Sequence, residues 1–490
     1  MDSEYSYSQI IEAKDGSKIP LCRNSSGGSE CSLHSKYNPV REAEAFSQTV
    51  DSECLFFVVL GLSGGYHIEK IIEKCPKAKI LAVEISEAAI DFLSQIPCVK
   101  TIMRNRRVIV SDIKSIKEKL LSSYKPAVHG NLTILSLRQW ESLFPGKAAE
   151  AREKITETIR LLASDYSVQS HFGLIWQKNI FNNLSMAEKA QSFQKLHADT
   201  KKTAAIIAAG PSLCEHISEL RENRQKYFII ATDTAWSALN KEKIKSDAVV
   251  SIDGQMISHQ HFIEEIPEET LFVFDLCANS CAARKVLEKT GNLVFVESGH
   301  PLAQYASLYA GRPTFAHVDS GSGTVTIAAA NFARSLGFQN DRITFFGADF
   351  SYLGGRPYAR GTYLEGQFHS KSTRLAGADN FYSRLMYRTP TIRLSQDSIT
   401  TEILQAYKNS LKEFMESKNL NSNAGRNFGL FNFKDFKSNY YKDLSKTFRS
   451  EDDIDEASPA FLTLLPLCAK LGKGSAFLAY LKVLRYTERV

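Results

Sequence analysis

The 490 residues carry 60 Lys and Arg against 54 Asp and Glu, a formal charge of +6, with 43% hydrophobic and 10% aromatic content. That length and core content fit two to four globular domains, and so small a charge without a long basic block gives no support for a nucleic-acid or lipid-binding surface. Nine scattered cysteines are expected to be reduced thiols of a cytoplasmic protein. The opening residues, MDSEYSYSQIIEAKDGSK, lack the basic and apolar regions of a signal peptide, and runs such as Leu55–Leu60 are too short to span a bilayer.

Residues 1–50, polar and broken by SSGGSE and YNPVREAE, read as a loose N-terminal arm. The buried-strand run 55–60 then meets a glycine-rich turn, Gly61-Leu-Ser-Gly-Gly, a helical IEKIIEKC and a second strand ending in Glu84. This is the pattern of a Rossmann-like N-terminal domain over residues 51–112. Glu84 would suit ribose hydroxyls, as in S-adenosylmethionine-dependent methyltransferases; the competing reading is a scaffold whose pocket is empty or repurposed. Residues 113–200 turn helical, with Ile155, Ile159, Leu162 and Ala163 forming a core-facing stripe, and read as a helical connector.

From Ala204 the chain gives a short apolar strand, the turn Gly210-Pro211-Ser212 and an amphipathic helix. Glycine opens the backbone where a side chain would obstruct a ligand, and Ser212 lies beside free helix N–H groups that could hold a nucleotide phosphate. Further strand-like runs end in Asp233, Asp253, Glu297 and Asp349, so residues 201–390 read as a doubly wound, mostly parallel α/β sheet with its crevice at the carboxyl edge. Asp319-Ser320-Gly321-Ser322-Gly323-Thr324 opens another helix, either an anion nest or an ordinary capped start. The strand end at Asp349 runs into a loop bearing Tyr352, Arg356, Tyr358 and Arg360, with His369 beyond in what reads as loop. Phenols and guanidiniums can steady a leaving phosphate without metal, and a histidine can act as general base. Residues 391–490 read as a helical C-terminal domain, either receiving a protein acceptor or serving as a stabilising cap.

The runs AAGPSL, ATDTAWSAL, KSDAVVSIDGQ, DSGSGT and GADFSYLGGRPYARG, with HFGLIWQKNIFNNL and LGLSGGYHIEKIIEK upstream, resemble the motility-associated factor (Maf) family of flagellin glycosyltransferases over roughly residues 50–390. The central segment is also similar to bacterial sialyltransferases that use CMP-sugar donors. The resemblance implies transfer of a nonulosonic acid, such as pseudaminic or legionaminic acid, from its CMP derivative to Ser or Thr of flagellin, with no further cofactor and no metal. It implies that Gly210, Pro211 and Ser212 border the CMP and that Ser320, Gly321, Ser322, Gly323 and Thr324 bind donor carboxylate or phosphate. Tyr352 and Tyr358 would stabilise departing CMP, and His369 would deprotonate the acceptor in one inverting displacement. Asp233 and Asp253 stand where the sialyltransferases tend to carry asparagine. Similar central domains also occur in archaeal enzymes that diphosphorylate a pterin alcohol with ATP. A binding protein that holds flagellin or a nucleotide without chemistry stays open too.

Overall fold

Strands built as unbroken runs of Val, Ile, Phe and Ala must be covered on both faces, and two parallel sheets carry most of the strands. The computed structural model describes residues 5–24, 30–320, 323–417, 423, 425–451, 453–472 and 474–488. Contacts divide the chain into one unit of Met1–Gly173 with Leu465–Ala479 and another of Leu174–Leu464 with Tyr480–Val490.

In the first unit, β1 (Tyr5–Glu12) and β2 (Lys18–Asn24) pair antiparallel, and β3 (Cys31–Ser32) extends them. The expected loose arm is therefore folded where it is described, as this sheet followed by the helix Pro39–Gln48. Ile19, Leu21 and Cys22 are buried in this arm, and so is His34. A four-stranded parallel sheet follows, from β4 (Phe56–Leu60), β5 (Lys79–Glu84), β6 (Val108–Asp112) and β7 (Thr133–Ser136), in the order β6-β5-β4-β7. β7 lies within the stretch read as purely helical; it is four residues long between helices, too short to impose a period. The helix Pro145–Ala187 comes next, and its Ile155 is fully buried in the core of this unit.

The second unit is organised on seven parallel strands: β8 (Thr203–Ile207), β9 (Tyr227–Thr232), β10 (Ala248–Ser251), β11 (Leu271–Asp275), β12 (Leu293–Glu297), β13 (Ala316–His317) and β14 (Ile343–Phe346). Their order is β13-β12-β11-β10-β9-β8-β14. The sheet is covered on both sides, as the expected α/β class requires. Val273 and Val294 pack in one cluster with Ala328 and Phe332 of the helix Val325–Ser335. On the opposite face Phe272 meets Trp236 edge-on at 5.4 Å. A small antiparallel sheet, β15 (Tyr352–Leu353), β17 (Ser398–Thr400) and β16 (Ile392–Arg393), and helices including Glu402–Glu416 and Phe433–Thr447 follow.

Candidate active site at the switch point of the larger sheet

Strands β8 to β13 advance across the sheet in one direction, and β14 returns to the far side of β8. The carboxyl ends of β8 and β14 are thus the topological switch point, the place where open α/β sheets leave a crevice. Gly210-Pro211-Ser212 leaves β8 there, and Gly347-Ala348-Asp349 leaves β14. Gly210 N–H donates to Gly347 O at 2.8 Å. A Cβ on Gly210 would fall 2.4 Å from both Asp349 Oδ2 and Gly347 O, so glycine is required by the approach of these two segments.

Ser212 is the residue before the helix Leu213–Glu222. Its N–H donates to Asp349 Oδ2 at 2.9 Å, and its hydroxyl donates to Asp349 Oδ1. The helix start therefore already holds an anion, the carboxylate of Asp349. This corrects the expectation that Ser212 and the helix N–H groups receive a phosphate. Both Asp349 oxygens thus already accept from Ser212. Pro211 precedes the helix rather than occupying its first turn. Phe350, next to Asp349, has a left-handed φ of 48°, and its carbonyl accepts from Thr400 Oγ1 at 2.8 Å. That strained turn fixes where the Asp349 carboxylate points.

The chain then folds back over the same edge. Ala359 N–H donates to Ala209 O at 2.9 Å, and Arg360 N–H donates to Cys214 Sγ at 3.3 Å. Gly361 O accepts from Lys241 Nζ at 2.9 Å and Ser237 Oγ at 3.2 Å, both on the helix Asp233–Lys241. This return loop carries Tyr352 and Tyr358, whose phenols burial pushes above their usual pKa, with Arg388 close enough to oppose the shift in both. Protonated phenols beside a guanidinium are a donor set for an anionic leaving group.

His369, expected on a loop, stands in the last turn of the helix Tyr363–Ser370. Thr362 caps this helix by accepting from Glu365 N–H, a Thr-x-x-Glu signal that the loop reading overlooked. Helical spacing puts Glu365 Oε1 3.8 Å from His369 Nε2, which also contacts Tyr382 Oη at 3.2 Å. Glu365 Oε1 is 3.5 Å from Arg356, and its Oε2 accepts from Gly361 N–H at 2.7 Å. Sequence reasoning missed Glu365, Tyr382 and Arg388; the i, i+4 pair Glu365–His369 was the signal available for the first.

Asp233 and Asp253 end at the same edge with internal partners. Asp233 accepts from Thr234 N–H at 2.7 Å and from Ser251 Oγ at 2.7 Å. Asp253 accepts from Gln255 N–H at 2.9 Å, and burial, reinforced by Asp233, raises its pKa. Beyond β10 the edge is closed by asparagines of the helix Pro145–Ala187. Asn179 Nδ2 donates to the carbonyls of Gly254 and Cys277 at 2.9 and 3.1 Å, and Asn183 Nδ2 to those of Leu276 and Ala278 at 2.9 Å.

Around the Ser-Gly stretch the described residues make the contacts of a capped helix start, one of the two readings given above. Ser320 O accepts from Gly323 N–H and Thr324 N–H, while Thr324 Oγ1 accepts from Thr326 N–H at 3.3 Å as the helix cap. Gly321 and Ser322 lie outside the described residues. Because the helix Val325–Ser335 packs against β8, β9 and β10, Thr324 is carried from the β13 edge back toward the middle of the sheet.

In the first unit the corresponding carboxylate is spent. Glu84 is fully buried; its oxygens accept from Leu62 N–H at 3.0 Å, Tyr7 Oη at 3.0 Å and Trp140 Nε1 at 2.8 Å. A Cβ on Gly61 would lie 2.7 Å from the Trp140 ring. The ribose-binding expectation for Glu84 gives way to the competing reading, a scaffold whose pocket is empty or repurposed.

Residues 178–355 match the family described as 6-hydroxymethylpterin diphosphokinase MptE-like. An uncharacterized protein of Treponema pallidum (strain Nichols) is 33% identical over 151 residues, 30% of this chain and 71% of that protein. The chain belongs to the same family as this Treponema pallidum protein. Another uncharacterized protein of the same organism is 40% identical over 156 residues, 31% of this chain, and the chain spans 54% of its length. The solved structure of a Maf glycosyltransferase from Magnetospirillum magneticum AMB-1 aligns with a TM-score of 0.53 at 13% identity, over 98% of this chain and 89% of that one. At that identity the likeness shows the fold. No described helix is long and apolar enough to cross a membrane.

Proposed function

We propose that the second unit is a glycosyltransferase that moves a nonulosonic sugar from its CMP donor to a Ser or Thr hydroxyl of a protein acceptor, flagellin by the sequence resemblance. The observation that carries this reading is the return loop, tied to Ala209 and Cys214 beside the Ser212–Asp349 pair and leading into the helix that bears His369. The nucleoside would lie against Asp349 and the Gly210 turn, and its phosphate against Tyr352, Tyr358 and Arg388. As the acceptor oxygen bonds to the anomeric carbon, its proton passes to His369, and the bond from that carbon to the phosphate oxygen breaks with its electron pair leaving on CMP. Glu365 beside Nε2 favours the imidazolium that forms. The covering fold likeness to a Maf glycosyltransferase supports the same reaction class.

The MptE-like match favours a second reading, diphosphoryl transfer from ATP to a pterin-type alcohol. That match ends at residue 355, before Tyr358 and His369. Thermal unfolding with CMP or ATP separates the two. A ligand at about 100 times its Kd adds about 2.7 kcal/mol of stability. A shift with CMP alone, lost in Asp349→Ala, supports the glycosyltransferase; a shift with ATP alone replaces it with the kinase.

A further inference from the structure

Between β15 and β17 lie residues 354–397, which hold the helices Tyr363–Ser370 and Ala378–Met386 and the strand β16. They contain seven Lys and Arg against three Asp and Glu, a net +4 out of the +6 carried by all 490 residues. The rest of the chain is therefore close to neutral. Arg360, Lys371, Arg374, Arg384, Arg388 and Arg393 are exposed. Of the seven cations Arg356 alone has an ion-pair partner among the described residues, Glu365 at 3.5 Å. Unpaired charges of one sign on one segment repel each other within the chain and attract a partner of the opposite sign.

The segment is also thinly covered. The helix Tyr363–Ser370 buries none of its residues. It is held to the helix Ala378–Met386 by the stacked rings of Phe368 and Phe381, 6.0 Å apart, and by Tyr382, which packs on Phe368 and contacts His369. Tyr382 and Met386 are the buried residues of the second helix, and helical spacing puts Arg384 on its opposite side. Leu375, 95% exposed between the two helices, follows Lys371 and Arg374. Tyr387, 63% exposed, stands between Arg384 and Arg388, and exposed Ile392 and Leu394 flank Arg393. Apolar anchors set among cations make a surface for a partner that brings both carboxylates and apolar side chains. The surface adjoins the candidate active site, since Arg388 is within electrostatic reach of Tyr352 and Tyr358 and His369 lies on the first helix.

We infer that residues 354–397 form the docking surface for the protein acceptor, and that the acceptor presents its reacting Ser or Thr among acidic and aliphatic side chains. The inference rests on the transferase reading of the adjoining site. Carboxylates of the partner would pair with Lys371, Arg374 and Arg384, while Leu375 and Tyr387 make the apolar contacts. A polynucleotide fits less well, because it calls for a continuous run of cations. Glu365, Asp379 and Asp397 interrupt this one, and Leu375 offers nothing to a phosphate.

Fluorescence anisotropy on the full chain tests this with a labelled peptide that carries one Thr among Leu, Asp and Glu, and with its counterpart bearing Lys at every acid. The acidic peptide should bind about tenfold more tightly than its counterpart, and less tightly as salt screens the exposed charges. The triple variant Lys371→Glu/Arg374→Glu/Arg384→Glu should weaken its binding about tenfold, and Leu375→Ser by a smaller factor. Equal binding of the two peptides, parental binding by the triple variant, or tighter binding of a labelled oligothymidylate or of phosphatidylglycerol vesicles than of the acidic peptide would each overturn the assignment. Stabilisation by CMP, measured on the same samples, should be equal in the triple variant and the parent. Its absence from the parent would count against the transferase site; its presence with failed peptide binding would count against the docking surface alone.

Discussion

Asp349 receives both the N–H and the hydroxyl of Ser212, at the start of the helix Leu213–Glu222, from across the β8–β14 boundary. One carboxylate thus joins two strand ends and supplies the negative charge that the helix start favours. Asp349→Asn keeps the shape but loses the charge and one acceptor. Urea unfolding should show a loss of about 1–3 kcal/mol, the usual cost of disrupting a charge-assisted pair. Nucleoside binding should fall with it. A variant of parental stability would show that the pair contributes nothing net.

The Gly210 position tests the same boundary sterically. In Gly210→Ala the new methyl would need the space of Asp349 Oδ2 and Gly347 O, both 2.4 Å away and one of them backbone. Overpacking of this kind costs about 1–3 kcal/mol. The midpoint should drop by that amount, and CMP should no longer stabilise the protein. If Gly210→Ala binds CMP as the parent does, the crevice is not at this turn.

How much of this was legible in the residues depends on range. Six of the seven strands of the larger sheet announced themselves as apolar runs ending in Asp, Glu or Gly, while the two-residue β13 (Ala316–His317) was too short to do so, and Gly210 was marked by its place between strand and helix. The partnership of Ser212 with Asp349 spans 137 residues and was invisible until the strand order was known. The same holds for Glu84, whose neighbours Tyr7 and Trp140 come from distant segments and turn a ribose ligand into an internal anchor. His369 was misplaced for a local reason. Its helix has only eight residues and none of them is buried, so no hydrophobic period marked it.

Acid should weaken the second unit through His300. The ring is buried against Trp176, its Nδ1 accepts from Leu302 N–H at 3.2 Å, and burial drives its pKa down to about 3. The unfolded residue titrates near 6.5, so below that pH the unfolded chain takes a proton that the folded one refuses. Stability from this group is present above pH 6.5 and is lost toward pH 3, at up to about 1.4 kcal/mol per pH unit. His300→Asn keeps a cap acceptor without a titrating group. Its urea midpoint should fall less between pH 7 and pH 4.5 than the parent's does; an equal fall would assign the acid sensitivity elsewhere.

His369 and Glu365 separate base catalysis from binding. His369→Ala removes the only group in the Glu365–His369–Tyr382 cluster suited to accept a proton near neutral pH, and general-base loss typically costs 10²–10⁴ in rate. His369 is 59% exposed at the side chain, so the fold should survive. CMP should stabilise the variant as it does the parent, because the nucleoside is assigned to Asp349 and the Gly210 turn. Glu365→Gln removes the carboxylate next to Nε2 while leaving the base. It should reduce kcat by a smaller factor than loss of the base does, since the ring loses its contact at 3.8 Å but the base remains. Unchanged glycosylation of flagellin by His369→Ala would remove the histidine from the mechanism. Lost CMP stabilisation in the same variant would instead make it part of the nucleotide site.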